Sequence, residues 1–336
     1  MRVLGDDGEK MNTKEKVLKI LYEENGNVSG EAIAKSLGIS RNSVWKSINQ
    51  LKNDGYDIES VSGNGYALVK GNTFDEYSIK KHLKKEHKLY IYKEESSSNT
   101  VAKQLCQGGE TEGSVVIVES QTNGKGRMGR SFISTDENGL YMSVILRPKI
   151  SAEKCMSITV LAAVSVLEAI EEICSVDCSI KWVNDIYVNE KKCCGILTEA
   201  GMDFENGLLH YAVVGIGVNI ASPKGGFEKE IEHIACGIYE GESYPCGIKS
   251  RLCAKIIDNL FDNYAKIEEK AYIKKYKEKS NIIGKEVDVY VGEKIVCGEA
   301  IDIDDEASLI VRDANGVIHS FNSGEARVRQ AGVPLS

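Results

Sequence analysis

The chain has 336 residues, enough for two or three domains, with 42% apolar and 27% charged residues and a formal net charge of −8. This balance excludes a general polyanion binder, so any nucleic-acid contact must be local; residues 1–70 carry ten basic and ten acidic groups and sum to zero. No apolar run reaches the roughly 20 residues that span a bilayer, and the opening MRVLGDDGEK lacks the apolar core of a signal peptide. The ten cysteines form no CxxC pair and no Cys/His cluster at zinc spacing, which points to free thiols in a reducing cytoplasm. Met11 can serve as the natural start, with residues 1–10 an extension.

In chain order, Val17, Ile20 and Leu21 fall at helical spacing in a first predicted helix. Ser29 can cap a second, EAIAKSLG, which stops at Gly38. Ser40 can cap a third, RNSVWKSINQLKNDG, whose buried stripe is Val44, Ile48 and Leu51. Its other face shows Arg41, Asn42, Trp45, Lys46 and Asn49, with Lys52 in the last turn. Two alternating runs around Gly63-Asn64-Gly65 then predict a β-hairpin. This order is that of a winged helix-turn-helix over residues 11–70, and the polar face of the third helix suits a major groove. Arg41, Lys46 and Lys52 can reach phosphates, while Asn42 and Asn49 can read adenine edges. A small packing or protein-contact domain with a solvated face is the alternative. A polar linker puts a boundary near Asn72.

The central region, taken as 75–275, opens with a predicted strand at LYIYK (89–93), a Ser-rich turn and the helix VAKQLCQGG, for which Ser98 or Asn99 can be the cap. The strand SVVIVES (114–120) leads into Gln121 and the loop GKGRMGR (124–130). Gly124, Gly126 and Gly129 satisfy GxGxxG, but SFISTDENG and another strand follow where a dinucleotide site requires a helix. A phosphate loop of the GxxxxGK type fails as well, because Glu119 stands where its first glycine belongs. What remains is an inter-strand loop whose N–H groups, Lys125, Arg127 and Arg130 can converge on an anion, or a solvated basic hairpin. The stretch ITVLAAVSVLEAI (158–170) predicts a buried helix. SIKWVNDIYVNEKKCCGILTEAG predicts a strand carrying Lys181, Asn184 and Asp185, a turn at Asn189-Glu190-Lys191, and a second strand from Lys192. YAVVGIGVNIA (211–221) is an apolar strand with Asn219 near its end. The last region, 280–330, holds short alternating strands with turns at Gly292-Glu293, Asp304-Asp305 and Asn315-Gly316.

GKGRMGR, KWVND followed by Lys192 and GILTE, Ser97-Ser98-Asn99, and Gly215 to Asn219 together resemble the motifs of the biotin–protein ligases. With a winged helix in front, the chain is similar to the bifunctional class that also represses biotin-synthesis genes. Departures are Lys125 for the usual arginine, Val183 for proline, and Cys193-Cys194 for small apolar residues. The resemblance implies a multidomain α+β fold: an N-terminal winged helix-turn-helix, a central mixed α/β ligase domain of class II synthetase type, and a C-terminal SH3-like β-barrel. It implies the substrates biotin and ATP with Mg²⁺, the intermediate biotinyl-5′-adenylate, and transfer to a lysine of the biotin carboxyl carrier protein of acetyl-CoA carboxylase or a related carboxylase. It also implies operator DNA as a partner, a homodimer when adenylate-bound, a cytoplasmic location and no membrane. On this carry-over Ser97, Ser98 and Gln121 hold the biotin ring, with Asn99 also among the substrate-binding residues, and Gly124, Lys125, Gly126 and Arg127 close over carboxylate and phosphate, with Arg127 and Arg130 as main counter-charges. Phe132 stacks on adenine and Asn184 bonds its edge. Lys192 and Arg127 are the catalytic pair, with Asp185, Gly195 and Asn219 beside them and Glu325 and Arg329 in the closing GE…R element. A biotin-sensing repressor without ligase activity is the alternative, and a lipoate or octanoate transferase shares the central fold.

Overall fold

The computed structural model describes residues 12–24, 27–53, 56–61, 65–68, 74–134, 138–203, 207–245 and 247–329. The expectations for residues 1–11, for Gly63 and Asn64 in the hairpin turn and for a boundary at Asn72 lie outside the described residues. The chain divides into two units, one within Met1–His82 and Pro245–Arg251, the other within Leu83–Tyr244 and Leu252–Ser336.

The first unit contains α1 (Thr13–Glu23), α2 (Gly30–Leu37), α3 (Arg41–Asn53), the hairpin β1 (Ile58–Val61) and β2 (Gly65–Leu68), and a short α4 (Glu76–Lys80). Asn12 caps α1 by accepting the Glu15 N–H at 3.0 Å while the Glu15 carboxylate accepts the Asn12 N–H at 2.9 Å, which satisfies two orphan donors at once. Ser29 and Ser40 cap α2 and α3 through one bond each, accepting the Ala32 and Ser43 N–H groups at 3.0 and 3.1 Å. Gly38 ends α2 at φ 64, a left-handed cap that glycine adopts without strain. Val17, Leu21, Ile33, Val44, Ile48 and Leu51 meet in one core. The hairpin runs antiparallel from Ile58 opposite Leu68 to Val61 opposite Gly65. Here the predicted order of helices and wing is the observed one.

The second unit is built on a seven-stranded sheet. Its strands are β3 (Leu89–Glu95), β4 (Val115–Gln121), β5 (Gly139–Leu146), β6 (Ser179–Lys181), β7 (Asp185–Val188), β8 (Lys191–Met202) and β9 (Leu209–Asn219), in the order β3-β4-β5-β9-β8-β7-β6. Only β3 and β4 are parallel, because α5 (Ser98–Gln107) crosses between them; the other pairs are antiparallel. The apolar stretch at 158–170 lies in α6 (Cys155–Cys174), whose residues from Ser157 to Leu167 are all buried, and which packs on β8 and on α8 (Ala271–Glu278). The part of α7 (Ile248–Tyr264) from Leu252 onward also belongs to this unit. The C-terminal sheet is antiparallel, ordered β13 (Ile318–Phe321), β12 (Leu309–Asp313), β11 (Lys294–Ile303), β10 (Glu286–Val291) and β14 (Glu325–Val328). The described cysteines are all free thiols, and no helix among the described residues is long and apolar enough to cross a membrane.

The structure corrects two local readings. The KWVND run is no single strand: β6 ends at Lys181, Trp182 to Asn184 turn the chain, and β7 starts at Asp185 and pairs back antiparallel, so Asn184 stands in a turn. Tertiary partners hold that turn: Trp182 Nε1 donates to the Ala307 carbonyl at 3.0 Å, and the buried Tyr276 hydroxyl donates to the Val183 carbonyl at 2.9 Å. The cap of α5 is Ser97, one residue before the expected candidates, and its side chain makes no capping bond. We expect Tyr276→Phe, which strands the buried Val183 carbonyl, to lower stability by about 1–3 kcal/mol. The urea midpoint reads this directly, and an unchanged midpoint would mean that the carbonyl has another donor.

Candidate functional site

A cleft lies between the first turn of α5, the loop after β4, and strands β8 and β9. Its wall includes Ser97, Ser98, Asn99, Gln121, Lys125, Gly126, Arg127, Phe132, Asn184, Lys192 and Gly195, all of them candidates from the sequence. Ile196, Leu197, Gly215, Ile216 and Gly217 complete it and were not among those candidates. A period-two signal for the floor existed: Gly215 and Gly217 point to the same face of β9, and they stand opposite Leu197 and Gly195 on β8.

These glycines are required by what lies on them. A Cβ on Gly215 would sit 2.1 Å from Asn99 Oδ1, and one on Gly217 would sit 2.7 Å from the Phe132 ring. A Cβ on Gly195 would approach both the Lys192 ammonium, at 3.1 Å, and the Phe132 ring, at 3.2 Å. The strand register therefore orders the cleft, with the amide of Asn99 over Gly215, the aromatic ring over Gly217 and Gly195, and the Lys192 ammonium folded back over Gly195.

At the first end the groups are buried, hydroxylic and amidic. The Ser98 N–H donates to Gln121 Oε1 at 2.8 Å, which fixes the orientation of that amide. Gln121 Nε2 then donates to Ser134 Oγ at 2.9 Å, and Ser134 donates to the Phe132 carbonyl at 3.2 Å. The helix start is thus tied to the loop that carries Phe132. At the other end the groups are cationic. Arg127 Nη1 donates to Asn184 Oδ1 at 3.1 Å, and Asn184 Nδ2 donates to the Ile196 carbonyl at 2.8 Å. Burial pulls the Arg127 guanidinium below its ordinary pKa, with Asp185 opposing. Burial does the same to Lys181, again opposed by Asp185 and then by Glu325. The Lys192 ammonium lies 2.7 Å from Asp185 Oδ1. Partly desolvated cations that outnumber the carboxylates beside them form a field suited to an incoming anion.

The basic loop is a closed hairpin and not an open strap. Lys125 bridges Ser131, the Gly126 N–H donates to the Arg130 carbonyl at 2.7 Å, and the Phe132 N–H donates to the Gly124 carbonyl at 2.9 Å. Gly124 is packed behind the wall, where a Cβ would meet the Phe132 carbonyl at 2.2 Å. Several other candidates stand outside the wall. Arg130 forks onto Glu325 through Nη1–Oε1 at 3.1 Å and Nη2–Oε2, tying the loop to β14. Arg329 donates through Nε to Asp288 Oδ1 at 2.5 Å, within the C-terminal sheet. Asn219 is half-buried at the end of β9, where its carbonyl accepts the Ile238 N–H at 2.9 Å. In the first unit, Arg41, Asn42, Trp45, Lys46 and Lys52 are exposed, with Trp45 at 54%, and Asn49 is half-buried.

We expect Gly215→Ala to displace Asn99 and lower stability by about 1–3 kcal/mol. Thermal unfolding checks this, and a melting temperature equal to that of the parent would show that the Asn99 side chain is not confined.

A family model described as the biotin/lipoate A/B protein ligase family matches residues 91–219. An HTH domain model matches residues 13–67, and a biotin protein ligase C-terminal domain model matches residues 282–329. The bifunctional ligase/repressor BirA of Bacillus subtilis (strain 168) is 37% identical over 234 residues, covering 68% of this chain and 71% of that protein. The protein of the same name from Escherichia coli (strain K12) is 24% identical over 310 residues, covering 90% and 93%. Among solved structures, the biotin protein ligase from Aquifex aeolicus in complex with biotin and ATP superposes with a TM-score of 0.60 at 27% identity, covering 73% of this chain and 99% of that one.

Proposed function

The chain belongs to the family of bifunctional biotin–protein ligase/repressors, and on that premise we propose how its residues perform the two activities. It is an ATP-dependent ligase that joins biotin to a carrier-protein lysine by way of biotinyl-5′-AMP, and a DNA-binding repressor. The observation that carries the ligase reading is the arrangement of the cleft: a hydroxyl-and-amide end at Ser98 and Gln121 and a cationic end at Arg127 and Lys192 share one floor of glycines.

Biotin offers a ureido ring at one end and a carboxylate at the other. The ring suits Ser97, Ser98, Asn99 and Gln121, and the carboxylate then points along the floor toward Lys192. A carboxylate oxygen attacks the α-phosphorus of ATP and pyrophosphate leaves; the amine of the carrier lysine then attacks the carbonyl carbon and AMP leaves. Substrate carboxylate is the nucleophile in the first step, so the protein's task is to hold two anions together. Pre-placed cations and N–H groups do this without reorganisation at the moment of reaction. Lys192 and Arg127 take that role, Asp185 holds Lys192 in place, and Lys125 and the N–H groups of the hairpin assist. Phe132 offers a ring for adenine and Asn184 an amide for its edge. Among the described residues no three His, Cys, Asp or Glu side chains converge as a metal site, so Mg²⁺ is proposed to arrive on the phosphates of ATP. Arg130 and Glu325 couple the C-terminal sheet, which we read as an SH3-like barrel, to the loop.

We assign residues 11–70 to operator binding, 75–275 to catalysis and 280–330 to the C-terminal domain. Arg41, Lys46 and Lys52 of α3 are proposed phosphate contacts, and Asn42, Trp45 and Asn49 face bases. A recognition domain of zero net charge binds tightly only in pairs, which supports a homodimer on a two-fold operator, formed when adenylate is bound in the cytoplasm. The carrier is the biotin carboxyl carrier protein of a carboxylase such as acetyl-CoA carboxylase.

Incubation with biotin, ATP, Mg²⁺ and a carrier domain, read by avidin blot, tests the ligase reading; an unlabelled carrier would overturn it. Lys192→Ala should slow single-turnover adenylate formation about a hundredfold with a smaller effect on biotin binding, because its charge acts mainly on the transition state. An unchanged rate would return Lys192 to the status of a strand residue. Deleting residues 11–70 should abolish binding to operator DNA and leave carrier labelling largely intact. In the full chain, raising salt should weaken operator binding steeply. Equal affinity with and without biotin plus ATP, measured by titration, would sink the biotin-responsive repressor.

A further inference from the structure

The first unit holds a cluster of side chains that neither activity uses. Asp75, just before α4, accepts two tyrosine hydroxyls of the winged helix at Oδ2, Tyr56 at 2.5 Å and Tyr22 at 3.3 Å. Its Oδ1 accepts the Ser78 N–H at 2.7 Å and caps α4. Hydrogen bonds to a carboxylate are the stronger kind, and here one carboxylate serves three donors. Tyr22 lies in the last turn of α1, and Tyr56 follows α3. The Tyr22 ring stacks on Tyr77 of α4, with centroids 4.9 Å apart, and the Lys81 ammonium lies 4.5 Å from the centre of the Tyr22 ring. The contacts of Tyr22 and Tyr56 thus join residues from opposite sides of the segment 69–73. The start of α4 is tied in turn to the first turn of α7. Ser78 Oγ and Ser250 Oγ, both in buried residues, lie 2.8 Å apart, and the Lys249 ammonium lies 4.5 Å from the centre of the Phe74 ring.

Alone, the winged helix runs into the rest of the chain at one place, through 69–73. Bound to α4 and the first turn of α7, it becomes part of one body, from which the chain departs at three places: after His82, before Pro245 and after Arg251. That body includes α3, because Val44, Ile48 and Leu51 share a core with Val17 and Leu21 of α1. We propose that Asp75, Tyr22 and Tyr56 form a latch that fixes the heading of α3, so that two copies of the chain accept operator half-sites at one separation only. None of the three belongs to the α3 face assigned to DNA; they are positioning residues, and their role rests on the repressor reading and extends it. The two recognition helices of a dimer must match the spacing of two half-sites. A domain turning about a single connection would fit many spacings and would lose that freedom on binding, whereas a latched domain has lost it already. The latch therefore adds affinity for the matching operator and makes a mismatched spacing costly.

The test starts from a two-fold duplex selected out of a random-sequence pool by the unaltered full chain with biotin and ATP. A second duplex carries the same half-sites with about five base pairs added between them, half a helical turn, which moves one half-site to the opposite face. The unaltered chain should bind the selected duplex about tenfold or more tightly than the second, as read by titration. The double variant Tyr22→Phe, Tyr56→Phe removes both donors and keeps both rings, while Asp75→Ala removes the acceptor. In each, that preference should fall to about twofold, and affinity for a duplex with a single half-site should stay within about twofold of the parent. Melting curves establish that the variants are folded, and either one decides the matter if the other is not. A preference kept in full by a folded variant would overturn the latch, as would an unaltered chain indifferent to spacing. Loss of single half-site binding in step with the two-fold site would overturn it too, since the contacts would then serve only to fold the winged helix. If the unaltered chain selects no sequence from the pool, it is the repressor reading that falls.

Discussion

A side chain can lie flat on a β-sheet only where the strand beneath it has no Cβ, and the site depends on that constraint at three places. Gly215 admits the Asn99 amide, and Gly217 and Gly195 admit the Phe132 ring. Each makes room for a group that comes from elsewhere in the chain, Asn99 from the start of α5 and Phe132 from the loop after β4. The antiparallel register of β8 and β9, with Leu197 opposite Gly215 and Gly195 opposite Gly217, brings these gaps side by side. Shifting that register by one residue would turn the glycines to the other face, filling the floor with branched side chains.

Charge is arranged with similar economy of partners. Arg127 donates to a neutral amide, Lys192 lies on a single carboxylate, and Lys181 is pulled toward neutrality by burial. Arg130, by contrast, is engaged by Glu325 in a two-point fork. The cations thus divide into those that hold the structure and those left with unfilled electrostatic capacity near the cleft. In the ligase reading the second group meets the carboxylate and phosphate, while the first ties the basic loop to the C-terminal sheet.

Much of this was legible without coordinates. The winged-helix order follows from capping residues and apolar spacing that act within a few residues of one another: Ser29 with Ala32, Ser40 with Ser43. The rejection of a dinucleotide loop followed from the missing helix after GKGRMGR, and the loop does connect two antiparallel strands. The principal wall residues were legible as well, because their motifs are ordered along the chain. Other features were not. KWVND reads as strand by composition, yet turns because Trp182 and Val183 find their partners at Ala307 and Tyr276, far away in sequence. Arg130 and Arg329 look like site cations, yet the first bonds Glu325 and the second Asp288.

The sequence by itself determined the order of the winged-helix elements, the basic loop and the family of motifs, since caps, periodicity and turn residues are local and leave local marks. Only the tertiary structure decided which glycines became a floor, which arginine was consumed by Glu325, and which way the Asn99 amide points. Those outcomes depend on strand register and on hydrogen-bond partners about a hundred residues apart or more, as with Asn99 and Glu199 or Arg130 and Glu325. No short-range pattern encodes such pairings, because what selects them is the steric and electrostatic fit of groups that meet only after the sheet has closed.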